Sequence, residues 1–357
     1  LHLFLAPALS LTVSLFACGG AVAPVGPEAS LRGRDLNLRR TSAPKVDPGY
    51  TAYVSGSTTD VQTTPLGGVL LAGGGTDSDA GMRWLLAQGG ARGTLRYGDV
   101  VVLRTSGTNG YNEYFVNLGA NSVTSIVISS VAGANSEYVR QAITKAEVVF
   151  IAGGDQSRYV KLWTGTALQA AVNARVAAGY PIGGTSAGLA VLSPYVYAAI
   201  NASSVSATVT ANPYDPSVTL TPALFAVPVL SNLITDSHFV VRDRMGRLVT
   251  FLARLQQDGT ATAPRGVGVD ERSAMGVTAD GVGTVFGTGN GVYLLQVAST
   301  ATRVCSSGVP LTYAPVTTVR VPVGQSANLV SWTVSGATPY TLSVSAGVLS
   351  SSRATIY

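Results

Sequence analysis

Short apolar runs bounded by glycine alternate along this chain with stretches whose apolar positions recur every three or four residues. The runs are "GGVLLAGGG" (67–75), "GDVVVLRTSG" (98–107), "SVTSIVISS" (122–130) and "AEVVFIAGGDQ" (146–156). Each is too short for a helix and apolar on successive positions, which predicts strands buried on both faces. Between them, "TDSDAGMRWLLAQGG" fits a helix with Asp near its start. "SEYVRQAITKA" sets Tyr138, Val139, Ala142, Ile143 and Ala146 at helical spacing behind a capping Ser136. Such alternation predicts an α/β fold, a mostly parallel sheet with helices on both faces. Ligands in such sheets sit at the carboxyl ends of the strands. Those ends here carry Gly73–Gly75, Ser106–Gly107 and Gly153–Gly154.

A fifth run, "YPIGGTSAGLAVLS" (180–193), reads as strand, sharp turn and helix, and holds Gly184-Thr185-Ser186-Ala187-Gly188. This is G-x-S-x-G, the nucleophile-elbow pattern, in which flanking glycines let the backbone fold tightly and push the serine Oγ above the sheet. The Ala187 N–H at the following helix start is a natural oxyanion donor. A tight turn with a helix-capping serine gives the same letters. A serine nucleophile needs a base, most often histidine. The chain has two, His2 and His238, and His2 lies in a leader-like segment, so the base can only be His238. Around it, "DSHFVVRDRMGRL" gathers Asp236, Arg242, Asp243, Arg244 and Arg247 within twelve positions. A solvated helix start would also look so, but in a chain with 11% charged residues the cluster reads better as a pocket. The carboxylate that orients the imidazole is sought downstream among Asp215, Asp236, Asp243, Asp258, Asp270, Glu271 and Asp280. "RGVGVDERSAM" puts Asp270-Glu271 at a strand end, and Glu271 is chosen with Asp270 in reserve.

Composition narrows the classes. With 46% hydrophobic residues the chain can bury a large core. Its formal charge of +5 is scattered, with no basic run beyond Arg39-Arg40 and no aromatic-plus-basic motif, so nucleic-acid binding is not indicated. No cofactor is called for. One mature histidine and no cysteine cluster leave few metal ligands beyond carboxylates, so no catalytic metal is expected. "AGGGTDSDAG" does not fit the dinucleotide-binding glycine spacing.

The first residues read as an address. Leu1 to Ala17 are apolar without Lys, Arg, Asp or Glu, and Cys18 follows in "LFACGG". That resembles a bacterial lipobox, with 1–17 as signal peptide and Cys18 as the lipidated new N-terminus; a plain secretory signal is the alternative. The expected location is outer membrane or cell surface, otherwise secreted or periplasmic, with membrane attachment by lipid only. Residues 18–65, rich in Pro, Gly, Ala, Ser and Thr, read as a flexible tether. Residues 66–357 read as the catalytic domain. Its β-rich tail, 300–357, is taken as closing strands, because ~58 residues make a marginal separate core.

Four motifs in order, "VVFIAGGDQSRYV", "PIGGTSAGLAVLS", "DSHFVVRDRMGRLVTFLARL" and "GVGVDERSAM", resemble the cyanophycinases. That family stands with dipeptidase E among serine peptidases on a class I glutamine-amidotransferase-like fold. The resemblance covers residues 66 to 300. It implies hydrolysis next to aspartate in cyanophycin, a poly-aspartate with arginine on each β-carboxyl, to β-Asp-Arg dipeptides. It also implies Ser186 as nucleophile, His238 as base and Glu271 as orienting acid. A second oxyanion N–H would come from Gly153-Gly154, taken as Gly154. Gln156, Asp236, Arg242, Arg244 and Arg247 would line the substrate pocket. Arginine forks suit substrate carboxylates, and Asp236 would suit a guanidinium. Ser237 stands where the family often has a polar amide. The competing functions are an aspartyl or isoaspartyl dipeptidase and a non-catalytic binding protein of the same fold. Oligomeric state is left open, a homodimer included.

Overall fold

The computed structural model describes residues 41–92 and 96–357. Five buried runs form the parallel centre of an eleven-stranded sheet. Their order is Ser122–Ile128, Val100–Arg104, Val148–Ile151, Ile182–Thr185 and Val69–Ala72. Strand side chains alternate between faces, and the core divides accordingly. Leu70, Val100, Val102, Val148 and Phe150 pack with Met82, Leu85 and Leu86 of helix Asp79–Gln88 and with Phe115 of helix Gly110–Leu118. Leu71, Val101, Leu103, Val149 and Ile151 pack the other way. Their partners are Val139 and Ile143 of helix Glu137–Lys145, Trp163 of Gln156–Trp163 and Val172 of Ala167–Ala177. Helices therefore cover both faces of the centre. Ser78, Asp155 and Thr166 cap three of them, accepting from Gly81, Ser157 and Gln169 N–H; Ser136 stands at its cap position without a side-chain bond.

The expectation of a mostly parallel sheet holds for this centre and not for its flanks. Tyr50–Gly56 and then Lys45–Asp47 add antiparallel beside Ser122–Ile128. At the other edge Ser273–Val277, Val282–Gly287, Ser326–Asn328 and Thr333–Val334 add antiparallel beside Val69–Ala72. Tight turns join several of these neighbours, and a tight turn can only reverse the chain, whereas a parallel neighbour needs a crossover. The flank Tyr50–Gly56 also corrects the reading of 18–65 as tether throughout. Tyr50 and Ala52 are buried, an alternation that a scan for continuous apolar runs passes over.

A second sheet runs Leu220–Pro222, Tyr195–Tyr197, Leu233–Asp236, Arg265–Val269, Val292–Val304, Thr312–Val321, Tyr340–Ser345 and Val348–Ser351. Only its Tyr195–Tyr197, Leu233–Asp236 and Arg265–Val269 neighbours are parallel. Helix Met245–Gln257 lies against it, packing Leu248, Phe251 and Leu252 with Ile234, Leu295 and Tyr313. The tail beyond residue 300 supplies strands to both sheets. Between Arg265–Val269 and Ser273–Val277 the chain passes from the second sheet to the first in the three residues Asp270, Glu271 and Arg272. Among the described residues no helix is long and apolar enough to cross a membrane. Cys18 lies outside the described residues; Cys305 is buried and free.

Candidate active site

Ser186 stands between strand Ile182–Thr185 and the short helix Ala187–Ala190, at φ 54° and ψ −115°. Such a backbone costs a non-glycine residue about 1–3 kcal/mol and persists only where its surroundings hold it. Here its N–H donates to the Ala72 carbonyl (3.0 Å) and its carbonyl accepts from Ala190 N–H (3.1 Å). The flanking glycines are required by close approach. A Cβ on Gly184 would stand 2.5 Å from the Gly188 backbone, and one on Gly188 would stand 2.1 Å from the Ile151 carbonyl oxygen.

His238 follows strand Leu233–Asp236 of the second sheet and also has a positive φ, 47°. Its N–H donates to the Gly73 carbonyl (2.8 Å). Gly74 lies against the imidazole, where an added Cβ would meet Cε1 at 2.4 Å. The ring is buried, and its Nε2 is 2.6 Å from Ser186 Oγ. Its Nδ1 is 2.5 Å from Glu271 Oε1. A carboxylate can only accept, so Nδ1 carries the proton and Nε2 accepts from the serine hydroxyl. Burial pulls the imidazole below its ordinary pKa; the Glu271 hydrogen bond opposes this, and the cations of Arg242 and Arg244 reinforce it.

The sheet crossover separates the two adjacent acids. Asp270 is buried and accepts from Val240 N–H (2.9 Å), Val241 N–H (3.2 Å), Asn290 N–H (3.3 Å) and Asn290 Nδ2 (2.7 Å). It brackets the turn after His238. Glu271, one residue on, faces the imidazole, with Arg242 Nε 3.8 Å from its Oε1.

Not every expected pocket residue faces open space. Asp236 and Arg247 are both about 2% exposed and bind each other: Nε reaches Oδ2 at 2.7 Å and Nη2 reaches Oδ1 at 2.5 Å. Arg247 also donates to the Ser204 carbonyl (3.1 Å) and lies over the Tyr197 ring. Asp236 accepts from Ser237 N–H (2.8 Å) as well. The expectation that both contact substrate is corrected, since a buried ion pair that satisfies itself has no free charge to offer. Arg244, mostly buried, spends Nη1 on the Ser237 carbonyl (2.8 Å), Ser237 Oγ and Asp236; burial draws its guanidinium down to about 10. Arg242 is half exposed and open to a ligand. Gln156 opens helix Gln156–Trp163 and is partly exposed, with no hydrogen bond to Ser186, His238 or Glu271. Gly153 abuts Ser186, where an added Cβ would be 3.5 Å from the serine Cβ. The exposed Gly154, at φ 155°, comes next. The Tyr159 hydroxyl holds this loop through the Ala152 (2.8 Å) and Gly153 (3.0 Å) carbonyls.

Sequence reading missed Asp77. Its carboxylate accepts from Thr185 Oγ1 (3.0 Å), next to Ser186, and from Tyr111 O–H (2.6 Å), and burial raises its pKa. In "TDSD" it reads only as a helix start. The loop from Gly73 to Asp77 thus touches His238, Glu271 and the residue before Ser186.

Residues 108–221, which include the elbow, match peptidase family S51. Cyanophycinase of Synechococcus elongatus is 28% identical over 181 residues, 50% of this chain and 51% of its own. Cyanophycinase of Trichormus variabilis is 29% identical over 182 residues, 50% of this chain and 55% of its own. The chain spans about half the length of the curated relatives it matches. The crystal structure of a peptidase from an acI-B1 Actinobacterium aligns over 75% of this chain and 98% of its own, at 16% identity and a TM-score of 0.47. The chain is thus similar to peptidase family S51 over residues 108–221 and to the cyanophycinases over about half its length.

Proposed function

We propose that this chain is a serine peptidase that hydrolyses cyanophycin to β-Asp-Arg dipeptides. The observation that carries the reading is the unbroken hydrogen-bonded line from Ser186 Oγ through His238 to Glu271. In the reaction, Ser186 Oγ attacks the scissile carbonyl carbon while its proton passes to His238 Nε2. The carbonyl becomes an oxyanion that accepts from Ala187 N–H and Gly154 N–H. Collapse breaks the C–N bond, and His238 gives the proton to the leaving amine. Water, deprotonated by the same imidazole, then splits the acyl-enzyme, and the proton returns to Ser186. Glu271 holds the Nδ1–H tautomer and balances the imidazolium. The lowered pKa of His238 keeps it neutral, and so basic, at neutral pH.

Substrate binding falls to Arg242, with its exposed guanidinium, and to the edge of Arg244, both suited to the carboxylates of a poly-aspartate, with the partly exposed Gln156 as a further polar contact. The choice of cyanophycin as substrate is supported by the relatives, which are named cyanophycinases. We also read residues 1–18 as an export signal ending in a lipid-bearing Cys18, which would put the enzyme outside the cytoplasm.

The test incubates purified protein with insoluble cyanophycin and identifies soluble products by mass spectrometry, with Ser186→Ala as control. β-Asp-Arg released by the wild type alone is the expected result. Intact polymer alongside rapid cleavage of short aspartyl dipeptides would replace the polymer reading with a dipeptidase. No turnover of either substrate, with Ser186 inert to a fluorophosphonate probe, would leave a binding protein.

A further inference from the structure

The catalytic line is assembled from separate places. Ser186 follows a strand of the first sheet, His238 a strand of the second, and Glu271 lies in the crossing between the sheets. One loop, Gly73 to Asp77, touches each of them or its neighbour in the chain. The Gly73 carbonyl accepts from His238 N–H (2.8 Å), the Gly74 carbonyl accepts from Arg272 N–H (2.9 Å), and Gly75 lies against Glu271. Gly74 (φ 94°) and Gly75 (φ 73°) are both in the left-handed region. Glycine permits that backbone and also leaves the loop little stiffness of its own. Strand Val69–Ala72 fixes one end of the loop. The Asp77 side chain fixes the other: its Oδ1 accepts from Thr185 Oγ1 (3.0 Å) and its Oδ2 from Tyr111 O–H (2.6 Å). Thr185, 4% exposed, directly precedes Ser186.

A neighbouring contact shows what Asp77 adds. Asp79 Oδ1 accepts from Tyr114 O–H (2.8 Å), a second carboxylate–tyrosine pair beside that of Asp77 with Tyr111. Both pairs join the start of helix Asp79–Gln88 to helix Gly110–Leu118, so the docking of these helices is served twice. Asp77 differs from Asp79 in its further donor, and that donor stands on the elbow strand. Ser186 has a positive φ, 54°, which its surroundings must hold. A carboxylate drawn out of water is also a costly group to keep for a helix contact alone. Burial disfavours the charge of Asp77, and the two hydroxyls oppose that.

We propose that Asp77 is a positioning residue for Ser186: through Thr185 it locks the Gly73–Asp77 loop, and with it His238 and Glu271, to the strand that carries the nucleophile. The inference rests on the serine-peptidase reading and not on the identity of the polymer. Fluorophosphonate labelling of Ser186 needs no polymer, so its rate is measured on the full-length protein together with kcat, KM and Tm. Asp77→Ala and Thr185→Val should each slow labelling and lower kcat by about 10- to 100-fold, the loss expected when reacting groups are displaced by up to about 1 Å. KM should change less than about twofold, because neither side chain binds substrate. Thr185→Ser keeps the hydroxyl and should label at nearly the wild-type rate. The double variant Asp77→Ala/Thr185→Val should be no slower than Asp77→Ala, because both changes remove one shared contact. Asp79→Asn should lower Tm slightly and leave labelling unchanged. An Asp77→Ala protein that melts earlier but labels at the wild-type rate overturns the inference and makes Asp77 a helix clasp like Asp79. Undiminished labelling in Thr185→Val, a nearly isosteric change, overturns it too, and decides the matter should Asp77→Ala fail to fold. A wild type whose Ser186 is inert to the probe overturns the peptidase reading and this inference with it. Labelling in the expected order while cyanophycin stays intact supports the positioning role and overturns the substrate alone.

Discussion

Removing the Asp236 carboxylate should damage stability before it damages substrate binding. Asp236→Ala deletes the acceptor for Arg247 Nε and Nη2, for Ser237 N–H and for Arg244 Nη1. The guanidinium of Arg247 is about 2% exposed and cannot turn to water, so it remains as an unpaired buried cation. Breaking one side of such a pair costs about 3–5 kcal/mol. The compact unit Leu38–Tyr357 has roughly 320 residues, which at about 2.1 cal/mol/K per residue gives an unfolding entropy near 0.7 kcal/mol/K. The Tm should therefore fall by about 4–8 °C. Calorimetric melting of Asp236→Ala, Arg247→Met and the double variant measures this. The double variant should recover much of the loss, because the orphaned charge goes with its partner. Folded protein assayed well below its Tm should then show a modest change in KM. An Asp236→Ala variant of unchanged Tm with a KM raised a hundredfold would refute the reasoning and return Asp236 to the substrate.

Glu271→Gln should lower kcat by about 10²–10⁴ with an unchanged melting curve, since it loses the imidazole's orienting charge; Asp270→Asn should lower Tm instead, because its four donors fasten the turn after His238. Gly74→Ala would drive a Cβ into the imidazole at a positive φ, so kcat should fall at least about a hundredfold even where circular dichroism shows a native fold. The reaction needs neutral His238, and burial lowers its pKa, so kcat/KM should rise with pH through an acid limb centred below 6.5, the ordinary histidine value. Glu271→Gln should move that limb lower still, and a wild-type limb above 6.5 would contradict the assignment of the base. If Cys18 carries lipid, detergent-phase partitioning of the full-length protein should be lost in Cys18→Ser.

The elements around the elbow were legible because their causes are local. Buried parallel strands read as continuous apolar runs, and the glycines at 184 and 188 mark a turn whose backbone admits no Cβ. A single histidine outside the leader-like segment made His238 the only base on offer, whatever the fold. Three things needed the tertiary structure. The flanking strands, Tyr50–Gly56 among them, pair through backbone groups that every residue carries, so their direction and sheet membership leave no mark on side-chain type. Asp236 and Arg247 look like pocket charges in the sequence, eleven positions apart. Whether a charge serves a ligand or its neighbour depends on which side chain the folded chain buries against it, and helix Met245–Gln257 buries these two together. Asp270 and Glu271 are the same chemistry at adjacent positions. Only the crossing between sheets, where successive side chains point opposite ways, aims one at backbone N–H groups and the other at an imidazole 33 residues back.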